Sequence, residues 1–159
     1  MTAAICLGSN LGNRKKNLYD AVEILASKGL LITKESAIYE TAPVEYYSVN
    51  DFLNQVILVE TDETAETLLQ ILLKTEIELG RQRNSGDTID RTIDLDLLFY
   101  QNYVIQTPGL ILPHPRLHLR LFVLTPLAEV AKDWIHPQFN LPIDFMLENC
   151  LDKNTVLKV

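Results

Sequence analysis

Asp94 and Asp96 stand two residues apart in Arg91-Thr92-Ile93-Asp94-Leu95-Asp96, and an apolar run, Leu97-Leu98-Phe99-Tyr100, follows them. Residues two apart on a β-strand point to the same face. The spacing therefore predicts two carboxylates side by side, with Ile93, Leu95, Leu97 and Phe99 turned to a core. Like charges so placed repel unless a cation lies between them. Paired carboxylates on a rigid strand suit Mg²⁺, which takes a few protein oxygens and completes its shell with water and phosphate. Arg91 adds a cationic fork three residues upstream. The same hexapeptide also fits a strand with one solvated face, and on its own it leaves both readings open.

The remaining charge is unevenly spread. Of six arginines, Arg81, Arg83, Arg91, Arg116 and Arg120 fall in one stretch around the aspartate pair, while the net charge is −7. Arginine suits a bidentate grip on phosphate oxygens. An acidic chain with its arginines gathered there reads as a binder of metal-polyphosphate, or as chance clustering in loops. Leu112-Pro113-His114-Pro115-Arg116 stiffens the chain around one imidazole, because proline fixes the backbone. Glu76 falls on the apolar stripe of a helix, where a carboxylate needs a partner or an opening to a site. Pro43, Tyr46, Tyr47, Phe52 and Asn54 could hold a flat heterocycle by stacking and hydrogen bonding, or could be loop packing.

The elements that must position these residues follow from periodicity. Ala3–Leu7 reads as a strand, and Gly8-Ser9-Asn10-Leu11-Gly12-Asn13 as turn chemistry before a helix over about 14–27, ended by Gly29. Leu31–Tyr39 and Gln55–Thr61 read as strands. A second helix spans about 64–79, ended by Gly80, and the Asp94 strand comes next. The order β-α-β-β-α-β predicts an α+β, ferredoxin-like core. A C-terminal extension follows, helical over Leu121–Val130 with Pro126 limiting or kinking it.

Composition excludes other classes. With 159 residues and 47% apolar content the chain reads as a single domain over 1–159. No apolar run approaches the ~18 residues of a membrane span, and Met1-Thr2-Ala3-Ala4-Ile5 lacks the basic region of a signal peptide. Cys6 and Cys150 suggest neither a disulfide framework nor a zinc site, which points to a reduced, cytoplasmic protein. The acidic balance argues against nucleic acid as partner. A monomer acting on small molecules is expected.

Several segments occur in one order: Leu7-Gly8-Ser9-Asn10-Leu11-Gly12, Tyr39-Glu40-Thr41-Ala42-Pro43, Phe52-Leu53-Asn54, Glu76 with Gly80-Arg81-Gln82-Arg83, the Asp94 strand, Pro113-His114-Pro115-Arg116 and Arg120-Leu121-Phe122. Over roughly residues 3–135 this resembles the 6-hydroxymethyl-7,8-dihydropterin pyrophosphokinases of folate biosynthesis. The resemblance implies transfer of the diphosphate of ATP to the pterin hydroxymethyl group, leaving AMP. It implies that Asp94 and Asp96 hold two Mg²⁺, and that Phe52 and Phe122 sandwich the pterin. Asn54, Thr41, Ala42 and Val44 would contact the pterin edge. Arg81 and Arg91 would act in catalysis, with Arg91 on a loop that closes over the substrates. Glu76, Arg83, the Leu97 backbone, His114 and Arg120 would serve ATP.

The chain departs from that pattern in places. Where the family commonly reads Arg-Trp-Gly-Pro-Arg, this sequence has Asp87-Thr88-Ile89-Asp90-Arg91, and Asp87 and Asp90 are expected to oppose a triphosphate. Val49-Asn50 stands for a common Gln-Pro, and Leu73 for a glutamine. These changes leave an alternative: a non-catalytic relative that binds pterin and nucleotide. Two other classes fit less well. A nucleotidyltransferase would set its Gly-Ser close to its Asp-x-Asp strand, and a ferredoxin-like RNA-binding module would carry a basic, aromatic strand.

Overall fold

The computed structural model describes residues 1–82 and 89–159. Strand β1 (Thr2–Ser9) runs through the middle of an antiparallel sheet, between β4 (Phe52–Glu60) and β5 (Asp94–Tyr100). The other side of β4 is occupied by β2 (Leu31–Glu35) and β3 (Tyr39–Thr41), and the C-terminal strand β6 (Val156–Lys158) pairs with β3. With β2 and β3 taken as one interrupted strand, and with helices α1 (Arg14–Ser27) and α2 (Ala65–Glu78), the order is the expected ferredoxin-like β-α-β-β-α-β.

Local chemistry sets the helix ends. The Asn13 side chain accepts the Lys16 N–H ahead of α1, and the Thr64 side chain accepts the Thr67 N–H ahead of α2. Gly29 and Gly80 follow with φ of 93° and 89°, a conformation that only glycine adopts at little cost. Leu18, Ala21 and Leu25 of α1, with Leu68 and Leu72 of α2, bury against Ile5, Leu7, Ile57 and Leu95 on one face of the sheet. Each such leucine contributes about 1.5–3 kcal/mol. On the opposite face α3 (Leu121–Ala131, with Pro126 inside it) and α4 (Ile143–Glu148) pack over Ala4, Val56, Leu58 and Phe99.

Two expectations change. The strand expected over Leu31–Tyr39 breaks at Ser36. There the Ser36 hydroxyl, in place of a backbone carbonyl, accepts the Val56 N–H at 2.9 Å. The register slips by one residue between the Glu35–Ile57 and Tyr39–Asn54 pairs. Phe99 does not join Ile93, Leu95 and Leu97. A register shift opposite Ala4 and Ile5 turns it to the other face, where it stacks on Trp134 at 4.0 Å.

Helices α3 and α4 cover only part of that second face. The part over Gly8, Phe52, Asn54, Asp94 and Asp96 opens on a cavity of about 400 Å³.

Candidate functional site

Strand register builds the cavity floor. Gly8 of β1 lies between Asn54 of β4 and Asp94 of β5, and Cys6 pairs with Asp96. A Cβ at position 8 would stand 3.3 Å from Asn54 Oδ1 and 3.6 Å from the Phe52 ring, so glycine keeps the floor low. Asn54 donates to Thr41 Oγ1 at 2.7 Å, which fixes its amide beneath the cavity. Ala42, Val44 and Tyr46 form one wall, with Phe52; Phe122 stands at the start of α3 and also lines the space. Tyr47, by contrast, is exposed on the surface.

The aspartates are held differently. Asp94 Oδ1 accepts Arg81 Nη1 at 2.5 Å, and the same nitrogen donates to Glu76 at 2.6 Å. Burial works against the Arg81 charge, but Asp94 and Glu76 outweigh it and raise the guanidinium pKa. Asp96 accepts no hydrogen bond from any described residue. Burial, and then the charge of Asp94, push its pKa from 3.8 up to about 7. Burial and the nearby Asp96 also hold the Cys6 thiol well above its ordinary value, so this buried cysteine stays protonated.

Cationic groups ring the mouth. The Arg91 guanidinium lies 5.3 Å from the Phe52 ring centre and that of Arg120 lies 5.6 Å from the Phe122 ring centre. Arg91 Nε stands 3.4 Å from Asp94 Oδ2 without hydrogen-bond geometry. Arg91 Nε and Arg120 Nε are buried, and among the described residues neither hydrogen-bonds to anything. Buried donors left unmet are costly, and an anion in the cavity would take them. Glu45, at φ 73°, accepts Arg116 through both carboxylate oxygens at 2.6 and 2.7 Å. His114 Nδ1 accepts the Arg116 N–H at 3.1 Å, so the neutral ring carries its hydrogen on Nε2. Burial, then Arg120 and Arg116, lower the His114 pKa to about 4.

The structure thus brings Arg81, Arg91, Asp94, Asp96, Thr41, Ala42, Val44, Phe52, Asn54, Phe122, His114 and Arg120 to one cavity. Glu76 and Leu97 are not on its wall. Glu76 is 0% exposed and accepts the Leu95 N–H at 2.7 Å besides Arg81, which does line the cavity. Leu97 packs its side chain into the core beneath the sheet. Arg83 and Asp87 lie outside the described residues. Asp90 does not line the cavity: its carboxylate accepts Asn10, Tyr46, Ser48 and Asn50, neutral donors that hold it to these side chains and favour its ionised form.

The comparisons with known proteins agree with this geometry. The family model for 7,8-dihydro-6-hydroxymethylpterin-pyrophosphokinase (HPPK) matches residues 4–132. The chain belongs to the HPPK family. An HPPK relative, 2-amino-4-hydroxy-6-hydroxymethyldihydropteridine pyrophosphokinase of Bacillus subtilis, is 44% identical over 82% of this chain and 78% of its own length. The like-named protein of Porphyromonas gingivalis is 40% identical over 87% of this chain and 95% of its own. The folic acid synthesis protein fol1 of Pneumocystis carinii is 42% identical over 93% of this chain, which spans only 20% of that longer protein. In fold, the chain matches a crystal structure of HPPK-DHPS in complex with substrates, with a TM-score of 0.74 at 16% identity. That match covers 92% of this chain and 42% of the other.

Three HPPK-site features escaped the sequence reading. Cys6 and Gly8 form the floor, and the period-two pattern of β1 carried that signal. Asn10, 2% exposed, accepts the Arg91 N–H at 2.7 Å; its sequence signal is turn chemistry and a place in the first family segment, with no role of its own. Glu45 carried no signal beyond its charge. Among the described residues no helix is long and apolar enough to cross a membrane.

Proposed function

We propose that the chain transfers the diphosphate of ATP to the hydroxymethyl group of 6-hydroxymethyl-7,8-dihydropterin. The pterin oxygen bonds to the β-phosphorus, the bond from that phosphorus to the α,β-bridging oxygen breaks, the hydroxyl proton passes to water, and AMP leaves with the bridging oxygen. The observation that carries this reading is the junction of two chemistries in one cavity. A polar-edged aromatic slot (Phe52, Asn54, Phe122) adjoins paired aspartates and two buried arginine Nε donors, of Arg91 and Arg120, that make no hydrogen bond among the described residues.

The residues fit a divalent cation. Asp96 has a pKa of about 7 because a buried carboxylate faces Asp94 with too little positive charge nearby. Among the described residues no group of three or more His, Cys, Asp or Glu is placed to hold a metal. Two carboxylates with phosphate and water oxygens are what Mg²⁺ accepts. Asp94 and Asp96 would hold it, and when bound it would neutralise charge on the phosphates. Arg81 holds Asp94 in place, Arg91 and Arg120 bind the polyphosphate, and neutral His114 donates from Nε2. The protein's part is to position reactants and offset charge, and the one cysteine among the described lining residues, Cys6, is held as an unreactive thiol.

Phe52→Ala and Phe122→Ala test the slot by titration calorimetry. Each should weaken dihydropterin binding by about 1–3 kcal/mol, far more than binding of a non-hydrolysable ATP analogue. Equal losses for both ligands would show that the rings are core packing.

A further inference from the structure

Asp90 lies beside the cavity and is not on its wall, yet its carboxylate gathers two separate parts of the chain, Asn10 and the 46–50 segment. Oδ1 accepts Asn10 Nδ2 at 2.8 Å and the Tyr46 hydroxyl at 3.2 Å. Oδ2 accepts the Ser48 hydroxyl at 2.9 Å and Asn50 Nδ2 at 2.7 Å. An ionised carboxylate can only accept, so it decides which end of each neighbouring amide faces it. Asn10 and Asn50 must both turn their NH₂ groups inward.

For Asn10 that choice reaches the cavity. Its Nδ2 is committed to Asp90 and to the Asn50 carbonyl at 3.2 Å, so Oδ1 is left for the Arg91 N–H. The Asn10 N–H in turn donates to the Arg91 carbonyl at 3.1 Å. Arg91 is therefore held by both backbone groups to one buried residue, whose side chain Asp90 orients. From that anchor its guanidinium reaches over Phe52 towards Asp94. Tyr46, on the same carboxylate, packs edge-on against Phe52 with ring centres 6.4 Å apart.

We infer that Asp90 is a positioning residue: it orients Asn10, and through Asn10 it sets Arg91 against Phe52 and Asp94. What Arg91 does there rests on the proposed pyrophosphokinase reading; the coupling to Asp90 does not. A simple surface cap would tie down the 46–50 segment and leave Arg91 unaffected.

The test is Asp90→Asn in the full chain. The carboxamide keeps the shape but offers one acceptor oxygen in place of two, so the Asn10 amide loses its charged acceptor and is held more weakly, by the Asn50 carbonyl and the Tyr46 hydroxyl. Hydrogen exchange at the Arg91 amide should quicken by about tenfold or more. The kcat/KM for AMP formation should fall by about tenfold in the wild-type background, but by less than about twofold in an Arg91→Ala background. Unchanged exchange, or equal losses in both backgrounds, overturns the inference. Ser48→Ala removes a single donor and should shift both readouts the same way by less, which keeps the test open if Asp90→Asn unfolds. Faster exchange in a chain whose wild type forms no AMP would uphold the coupling and sink the pyrophosphokinase reading instead.

Discussion

Asp96→Asn should stabilise the metal-free protein. In the fold, burial and Asp94 raise the Asp96 pKa from 3.8 to about 7. The folded state thus holds a proton that the unfolded state releases. The stability this gives is fully present below pH 3.8 and is lost as pH rises, with the loss complete near pH 7. A tenfold change in proton affinity is about 1.4 kcal/mol, so about three powers of ten set a ceiling of roughly 4 kcal/mol. Asp94 shares the repulsion and the cavity admits solvent, so about half that value, roughly 2 kcal/mol, is expected. Asparagine matches the shape, and Asp96 accepts no hydrogen bond from a described residue that the change would break. In a domain of this size the gain is about 4–8 °C in Tm. Thermal unfolding in a chelator, followed by circular dichroism at pH 5 and pH 8, measures it. The advantage of Asp96→Asn should grow between those pH values and level off above about pH 7, while AMP formation is lost. A variant less stable than wild type at pH 8 would refute the reasoning, because Asp96 would then be held by contacts that favour its charge.

Glu76→Gln should cost about 3 kcal/mol, or roughly 6–12 °C in Tm, since it takes a buried charge from Arg81 and weakens the acceptor of the Leu95 N–H; an unchanged Tm would mean that Glu76 does not hold Arg81. Gly8→Ala should weaken dihydropterin binding in calorimetry and leave Tm nearly unchanged, because the added Cβ crowds Asn54 Oδ1 at 3.3 Å; wild-type affinity would show that the ligand sits elsewhere. His114, with a pKa of about 4, is neutral across the working range. The pH profile of kcat/KM should therefore contain no inflection near 6.5 that His114→Ala removes.

Much of the site could be read in the chain because it obeys short periods. The two-residue spacing of Asp94 and Asp96 placed both on the cavity face of β5, the turn chemistry through Asn13 led into α1, and Gly29 and Gly80 ended the helices. The features that were not legible depend on partners distant in sequence. The Ser36 hydroxyl interrupts the edge strand only because the Val56 N–H lies opposite it. Glu76 stood out on an apolar stripe, but nothing local said that the Leu95 N–H and Arg81 would meet it there. Nothing local to Asp90 pointed to its four donors, which come from segments 40 or more residues away.

The central claim is that one cavity brings ATP and a dihydropterin together for diphosphate transfer. Incubation of the purified chain with Mg²⁺, ATP and 6-hydroxymethyl-7,8-dihydropterin, with nucleotides separated over time, tests it most directly. The account expects AMP and pterin diphosphate in equal amounts, both absent when a chelator replaces the metal or when the pterin is omitted. ADP as the nucleotide product, or binding of both substrates with no AMP formed, would contradict it.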